Sequence, residues 1–131
     1  MERKRILVAD DEVYVLHILE FTLTMEGYET LTASDGEEAL RRIEQDRPDL
    51  VVLDTMMPVL DGYEVLRRIR ADAETAILPV ILLSVKGRPI DRETGLELGA
   101  DDYIVKPFSP RRLLERIQYL LEQRRLASAR S

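Results

Sequence analysis

The chain has 131 residues, 45% of them hydrophobic and 34% charged, with a formal net charge of −6. That length suits one domain with one buried core, and the acidic balance argues against a dedicated nucleic-acid surface, which needs a basic patch. Cysteine is absent, which excludes disulfides, thiolate zinc sites and cysteine nucleophiles.

The N-terminal stretch MERKRILVADD follows its basic residues with a four-residue apolar run, too short for a secretory signal. Nothing in the chain approaches the roughly 20 apolar residues that span a bilayer. The expectation is a cytoplasmic protein that makes no direct contact with membrane or nucleic acid.

In chain order, the apolar run Ile6–Ala9 reads as a buried strand ending in Asp10, Asp11 and Glu12. Helical spacing then predicts a first helix from Glu12 to Glu26, stopped by Gly27, with Val15, Ile18, Leu19, Thr22 and Leu23 on its buried stripe. Leu16, Phe21 and Met25 fall off that stripe, and His17, the single histidine, is read as a surface residue. A weaker alternating strand covers Tyr28–Ala33. Ser34 followed by Glu37 is the pattern of a capping box, opening a second helix that ends before Pro48.

The second half repeats the rhythm. Leu50–Leu53 is a strand tipped by Asp54, with Met56 and Met57 behind it as core filling and Pro58 turning the chain. A third helix begins near Gly62, with Val65, Leu66 and Ile69 inward. The run Ile77–Leu83 leads to Ser84, and a fourth helix covers Pro89 to Leu98, halted by Gly99. The strand Tyr103–Val105 runs into Lys106-Pro107. Ser109 then caps a fifth helix that starts with Pro110 and turns Leu113, Leu114, Ile117, Leu120 and Leu121 inward. One domain over residues 1–124 is expected, with 125–131 as a fraying tail or the start of a linker. Short buried runs alternating with helices make an α/β protein whose parallel sheet is covered on both faces. In such sheets, sites form outside the carboxyl ends of the strands, where strand order reverses.

At those ends the sequence places Asp10, Asp11, Asp54, Ser84 and Lys106. Any one of them alone would be an ordinary turn, cap or surface residue; their coincidence at four strand ends is what carries meaning. Crowded carboxylates repel unless a proton or cation intervenes. Oxygen donors without cysteine favour a hard cation, Mg²⁺ above all. A hydroxyl and an ammonium facing that cation would serve the remaining oxygens of a phosphoryl group. The chemistry indicated is phosphoryl transfer onto a carboxylate.

The pattern ILVADDE, DLVVLDTMMPVLDG, ILLS and GADDYIVKPF closely resembles the receiver domains of response regulators in bacterial two-component signalling, from about Arg5 to Leu121. The resemblance implies a flavodoxin-like doubly wound (βα)5 fold with strand order 2-1-3-4-5. It implies a phosphoacceptor switch rather than an enzyme, fed by a sensor histidine kinase or phosphotransfer protein. Asp54 matches the phosphoacceptor. Asp10 and Asp11 match the acidic pair that binds Mg²⁺, Asp11 directly and Asp10 through water, and the Met56 backbone carbonyl matches a further ligand. Ser84 matches the hydroxyl that moves to the phosphoryl oxygen, Lys106 the lysine that pairs with it, and Tyr103 the aromatic switch that turns inward. The Lys106–Pro107 bond matches a cis peptide, a geometry that X–Pro makes accessible at about 0.5–1 kcal/mol.

Departures from the pattern matter for partners. Val85 stands where family members commonly carry Ala or Gly, and a larger side chain there either hinders attacking water or merely packs. Glu93 and Arg112 replace an apolar residue and an acid in the surface through which members with winged-helix outputs dimerise. Asp101, Asp102 and Arg116 keep part of that pattern. The swaps tell against the standard homodimer through helix four, strand five and helix five, and the apolar residues off the buried stripe of the first helix offer a rival homodimer surface. Three rival readings are an excised receiver of a DNA-binding transcription regulator, a phosphorylation-independent adaptor and a haloacid-dehalogenase-type phosphatase. The last needs a second Asp two residues after the nucleophile, and Met56 stands there.

Overall fold

Five β–α units follow one another along residues 3–130, which the computed structural model describes. The strands are β1 (Arg5–Ala9), β2 (Glu29–Ala33), β3 (Leu50–Asp54), β4 (Val80–Ser84) and β5 (Asp102–Val105). The helices are α1 (Val13–Met25), α2 (Gly36–Asp46), α3 (Gly62–Ala71), α4 (Pro89–Glu97) and α5 (Pro110–Arg130). All pairings are parallel, in the order β2-β1-β3-β4-β5. This is the expected flavodoxin-like arrangement.

Side-chain alternation divides the interior into two cores. Leu7, Ala9, Val51, Leu53, Val80 and Leu82 face α2, α3 and α4, where they meet Ala39, Ile43, Val65, Leu66 and Ile69. Ile6, Val8, Leu50, Val52, Ile81, Leu83 and Ile104 face the other way, onto Val15, Leu16, Leu19 and Leu23 of α1 and Leu113 and Ile117 of α5. A parallel strand buried on both faces reads as a continuous apolar run, which is why these strands were visible in the sequence. Each fully buried Leu, Ile or Val stabilises the fold by about 1.5–3 kcal/mol relative to exposure.

Three expectations are corrected by packing. On α1, Leu16 is buried and Ile18 is 46% exposed, because α1 rests on β1 and β2 and also touches α5, which rotates its buried stripe. The cap of α2 is Asp35, whose Oδ1 accepts the Glu38 amide at 2.8 Å, while Glu38 reaches back to the Ser34 amide. Asp serves as well as Ser in this role, so the box sits one residue later than Ser34–Glu37. Strand β4 begins at Val80 after Pro79, leaving Ile77 exposed. Residues 125–130 continue α5. Arg124 donates to the Ile77 carbonyl, Glu122 pairs with Arg125, and the sequence there is rich in good helix formers.

The loop from β3 to α3 holds a strained turn. The Leu60 amide donates to the Pro58 carbonyl at 2.8 Å around Val59, whose φ is 69°. A two-residue hydrogen bond closed around a positive φ is the rare, strained form of γ-turn, and a β-branched residue is poorly suited to it. Val59 is 69% exposed and loses little packing if shortened. Val59→Gly is expected to stabilise the protein by about 1 kcal/mol, the relief of strain exceeding the added chain entropy. Urea unfolding checks this, and an unchanged or lower midpoint would show that the turn is not strained.

Candidate functional site

Sheet register brings the strand ends together. Ala9 pairs with Leu53, Asp54 with Leu83, and Ser84 with Val105, so Asp10, Asp54, Ser84 and Lys106 emerge at one edge. Strand order reverses between β1 and β3, the place where open α/β sheets build their sites. The Lys106–Pro107 peptide is cis. Lys106 Nζ lies 2.7 Å from Asp10 Oδ2, 3.1 Å from Glu12 Oε1 and 3.4 Å from Asp54 Oδ2.

Asp10 is fully buried and Asp54 nearly so. The Met56 amide donates to Asp54 Oδ1 at 3.2 Å and the Glu12 amide to Asp10 Oδ1 at 2.9 Å. Burial pushes the Asp54 carboxyl up to about 6; the Met56 amide opposes the rise, Asp10 adds to it, and Lys106 opposes it. Burial also acts to lower Lys106, but its hydrogen bonds to Asp10 and Glu12 and the charges of Asp10 and Asp54 outweigh that and raise it. Lys106 is therefore a fixed positive charge at neutral pH.

Among the described residues, carboxylate oxygens of Asp10, Glu12 and Asp54 converge within 4.8 Å of one another. The donor set suits a hard divalent cation: all oxygen, mostly carboxylate, with two buried acids facing one ammonium. Asp11 is exposed and stands outside that set. Glu12, which sequence reasoning left out, is one of the converging carboxylates. Its N-cap backbone is extended, and in extended chain residues two apart face the same way. That period, applied to Asp10-Asp11-Glu12, was the available signal.

The remaining expected residues lie at the same edge. Ser84 is fully buried and its Oγ accepts the Lys86 amide at 3.0 Å. Tyr103 is already turned inward, with its hydroxyl donating to the Lys86 carbonyl at 2.7 Å. Met57 is buried, but Met56 is 55% exposed, so only one methionine fills the core. Val85 is exposed and lines an apolar recess of about 400 Å³ beside Lys106, Pro107, Phe108, Tyr14 and Ile18.

The family model of the response regulator receiver domain matches residues 6–118. The chain belongs to that family. It is 53% identical over 123 residues to a probable transcriptional regulator, ycf27, of Cyanophora paradoxa, covering 94% of this chain and 50% of that protein. It is 45% identical over 128 residues to the alkaline phosphatase synthesis transcriptional regulatory protein PhoP of Bacillus subtilis, covering 98% and 52%. The chain thus spans about half the length of the curated relatives it matches. Among solved structures, a putative response regulator from Chloroflexus aurantiacus superposes with a TM-score of 0.87 at 36% identity, covering 92% of this chain and 99% of that one.

As a receiver domain of two-component signalling, the chain is a signalling module. Of the residues tied by resemblance to the family's dimer surface, Asp101, Asp102 and Arg116 are engaged internally, while Glu93 and Arg112 are exposed. Asp102 is buried and pairs with Arg116 and Arg92, and its Oδ1 accepts the Tyr103 amide. Asp101 accepts Arg70 and the Val80 amide. On α1, Phe21 and Met25 are about 70% exposed. No helix among the described residues is long and apolar enough to cross a membrane.

Proposed function

We propose that Asp54 receives a phosphoryl group from a phosphohistidine on a sensor kinase or phosphotransfer protein. The observation that carries this is a nearly buried carboxylate at the strand-order reversal, with an ammonium 3.4 Å away and a second buried acid sharing that ammonium. An Asp54 oxygen attacks phosphorus, the N–P bond breaks, and the imidazole leaves with the bonding electrons and takes up a proton. Lys106 holds charge against the transferred oxygens, and the Ser84 hydroxyl donates to one of them. Asp10, Asp11, Asp54 and the Met56 carbonyl are the proposed Mg²⁺ ligands, with Glu12 the carboxylate that the geometry adds. Bound there, Mg²⁺ would offset the negative charge of the crowded acids and of a phosphoryl group.

The aspartyl-phosphate then shifts the α4–β5–α5 face, because its charge and acceptor oxygens draw Ser84 and Lys106 towards Asp54. Residues 1–124 form the receiver unit in this reading and 125–131 lead into a linker. Output lies in another module, and the relatives' names support a transcription regulator. Dimerisation through exposed α1 or through α4–β5–α5 follows, and the cytoplasm is where the kinase partner acts. The domain assists its own phosphorylation and dephosphorylation and turns over no other substrate.

Incubation with acetyl phosphate and Mg²⁺, followed by intact mass, tests the assignment. Wild type is expected to gain one phosphoryl group, and Asp54→Ala none. No gain in wild type, or a gain that persists in Asp54→Ala, overturns it.

A further inference from the structure

Among the described residues, Tyr103 is the largest fully buried side chain, at 2% exposure, and one peptide links it to the site. The Lys86 carbonyl accepts its hydroxyl at 2.7 Å, and the Lys86 amide donates to Ser84 Oγ at 3.0 Å. Seating the ring therefore fixes the Lys86 peptide, and that peptide anchors the Ser84 hydroxyl at the end of β4.

Room for the ring comes from α4. A Cβ added at Gly95 would lie 2.9 Å from Tyr103 Cδ2, 3.4 Å from its Cε2 and 3.0 Å from Leu82 Cδ1. Leu82 is fully buried in β4 and has nowhere to retreat. Gly95 has no positive φ that would require glycine, so conformation does not explain it. In a nine-residue helix an interior glycine costs about 1 kcal/mol relative to alanine, and the space it opens is the compensating gain. Tyr63 of α3 packs against the same cluster. Its phenol is held above the ordinary range, first by burial and then by the neighbouring Tyr103 hydroxyl.

We propose that Gly95 is a positioning residue: its missing side chain opens the seat in which Tyr103 holds the Lys86 peptide, and through it the Ser84 hydroxyl, in the arrangement that accepts the phosphoryl group. Its consequence at Asp54 rests on the phosphoacceptor reading above. A methyl at 95 closes the seat. The ring then turns towards solvent, the Lys86 carbonyl loses its donor, and Ser84 loses a fixed neighbour.

The test uses Gly95→Ala in the full chain, labelled with 3-fluorotyrosine. The Tyr103 fluorine signal is assigned by its loss in Tyr103→Phe, and ring exposure is read from broadening by a soluble paramagnetic agent. Exposure is expected in Gly95→Ala and not in wild type. Labelling by acetyl phosphate and Mg²⁺ is expected to slow about tenfold, as the competent population falls. In a Tyr103→Ala background, Gly95→Ala is expected to cause no further slowing, since the seat is already empty. A role confined to helix packing predicts instead a lowered urea midpoint and equal slowing in both backgrounds. A Tyr103 ring that stays shielded in Gly95→Ala, or equal slowing in both backgrounds, overturns the proposal. Wild type that takes no phosphoryl group overturns the phosphoacceptor reading alone, and ring exposure still decides the seat.

Discussion

Lys106→Met is expected to lower the stability of the metal-free protein by about 3–5 kcal/mol at pH 8, the cost of removing one partner from a buried ion pair. Against a typical total of about 5–15 kcal/mol, that is a large share. Methionine retains most of the apolar stem of lysine, so the loss reports charge rather than packing. Lys106 Nζ contacts Asp10, Glu12 and Asp54 at 2.7, 3.1 and 3.4 Å, and without it two buried carboxylates face each other alone.

The pH dependence follows from Asp54. Burial holds its carboxyl up at about 6 in the folded state, above its ordinary value of about 4. The folded protein therefore binds that proton more tightly than the unfolded chain. Its contribution to stability falls as pH rises from about 4 through 6. Lys106 opposes this rise, so the variant should suffer more at pH 8 than at pH 5, where Asp54 is protonated. Added Mg²⁺ should restore part of the loss by standing in for the ammonium. Urea unfolding at both pH values, in EDTA and in Mg²⁺, checks all three points. Equal loss under every condition would assign Lys106 to packing alone.

Gly62→Ala should be nearly as damaging, for a steric reason. Its missing Cβ would overlap the Asp54 carbonyl oxygen and lie 2.9 Å from Thr55 Cα. Both neighbours are backbone, in Asp54 and the residue after it, and the Gly62 amide also donates to the Thr55 carbonyl at 3.1 Å. Side chains can rotate away from a new methyl, but a strand end held by β1 and β4 cannot. A cost of about 2–3 kcal/mol is expected, reduced slightly by the better helix propensity of alanine. The displaced loop carries Asp54 away from Lys106, so labelling by acetyl phosphate should slow as well. Gly27→Ala is the comparison: nothing lies within 4 Å of its Cβ, and only its φ of 95° opposes the change. Urea midpoints and labelling time courses separate the two. If Gly62→Ala is no worse than Gly27→Ala, the close approach is not real.

The edge that carries Asp54, Ser84 and Lys106 was legible because each of these residues terminates an apolar run that the sheet buries on both sides. Asp54 follows Leu50–Leu53, Ser84 follows Val80–Leu83, and Lys106 follows Tyr103–Val105. Period and position thus place them at one edge before any contact is known. Close approach was not legible. Gly36, Gly62 and Gly95 look alike in a sequence, and only neighbours from other segments, Leu60, Asp54 with Thr55, and Tyr103 with Leu82, show why each must lack a side chain. The face of α1 was misjudged for a similar reason. Helical period alone cannot say how far contact with α5 rotates a stripe, so Leu16 and Ile18 exchanged places.

By itself, then, the sequence determined the α/β layering, the placing of Asp10, Asp54, Ser84 and Lys106 at the strand ends, and most element boundaries. These depend on periodicity and on local caps and breakers, which are short-range properties of a chain. Tertiary structure alone decided that Glu12 rather than Asp11 joins the converging carboxylates, that Asp102 satisfies Arg116 within one chain, and that Tyr103 sits against Gly95. Those outcomes depend on side-chain direction and on distances between segments far apart in sequence, which appear only once the sheet is assembled.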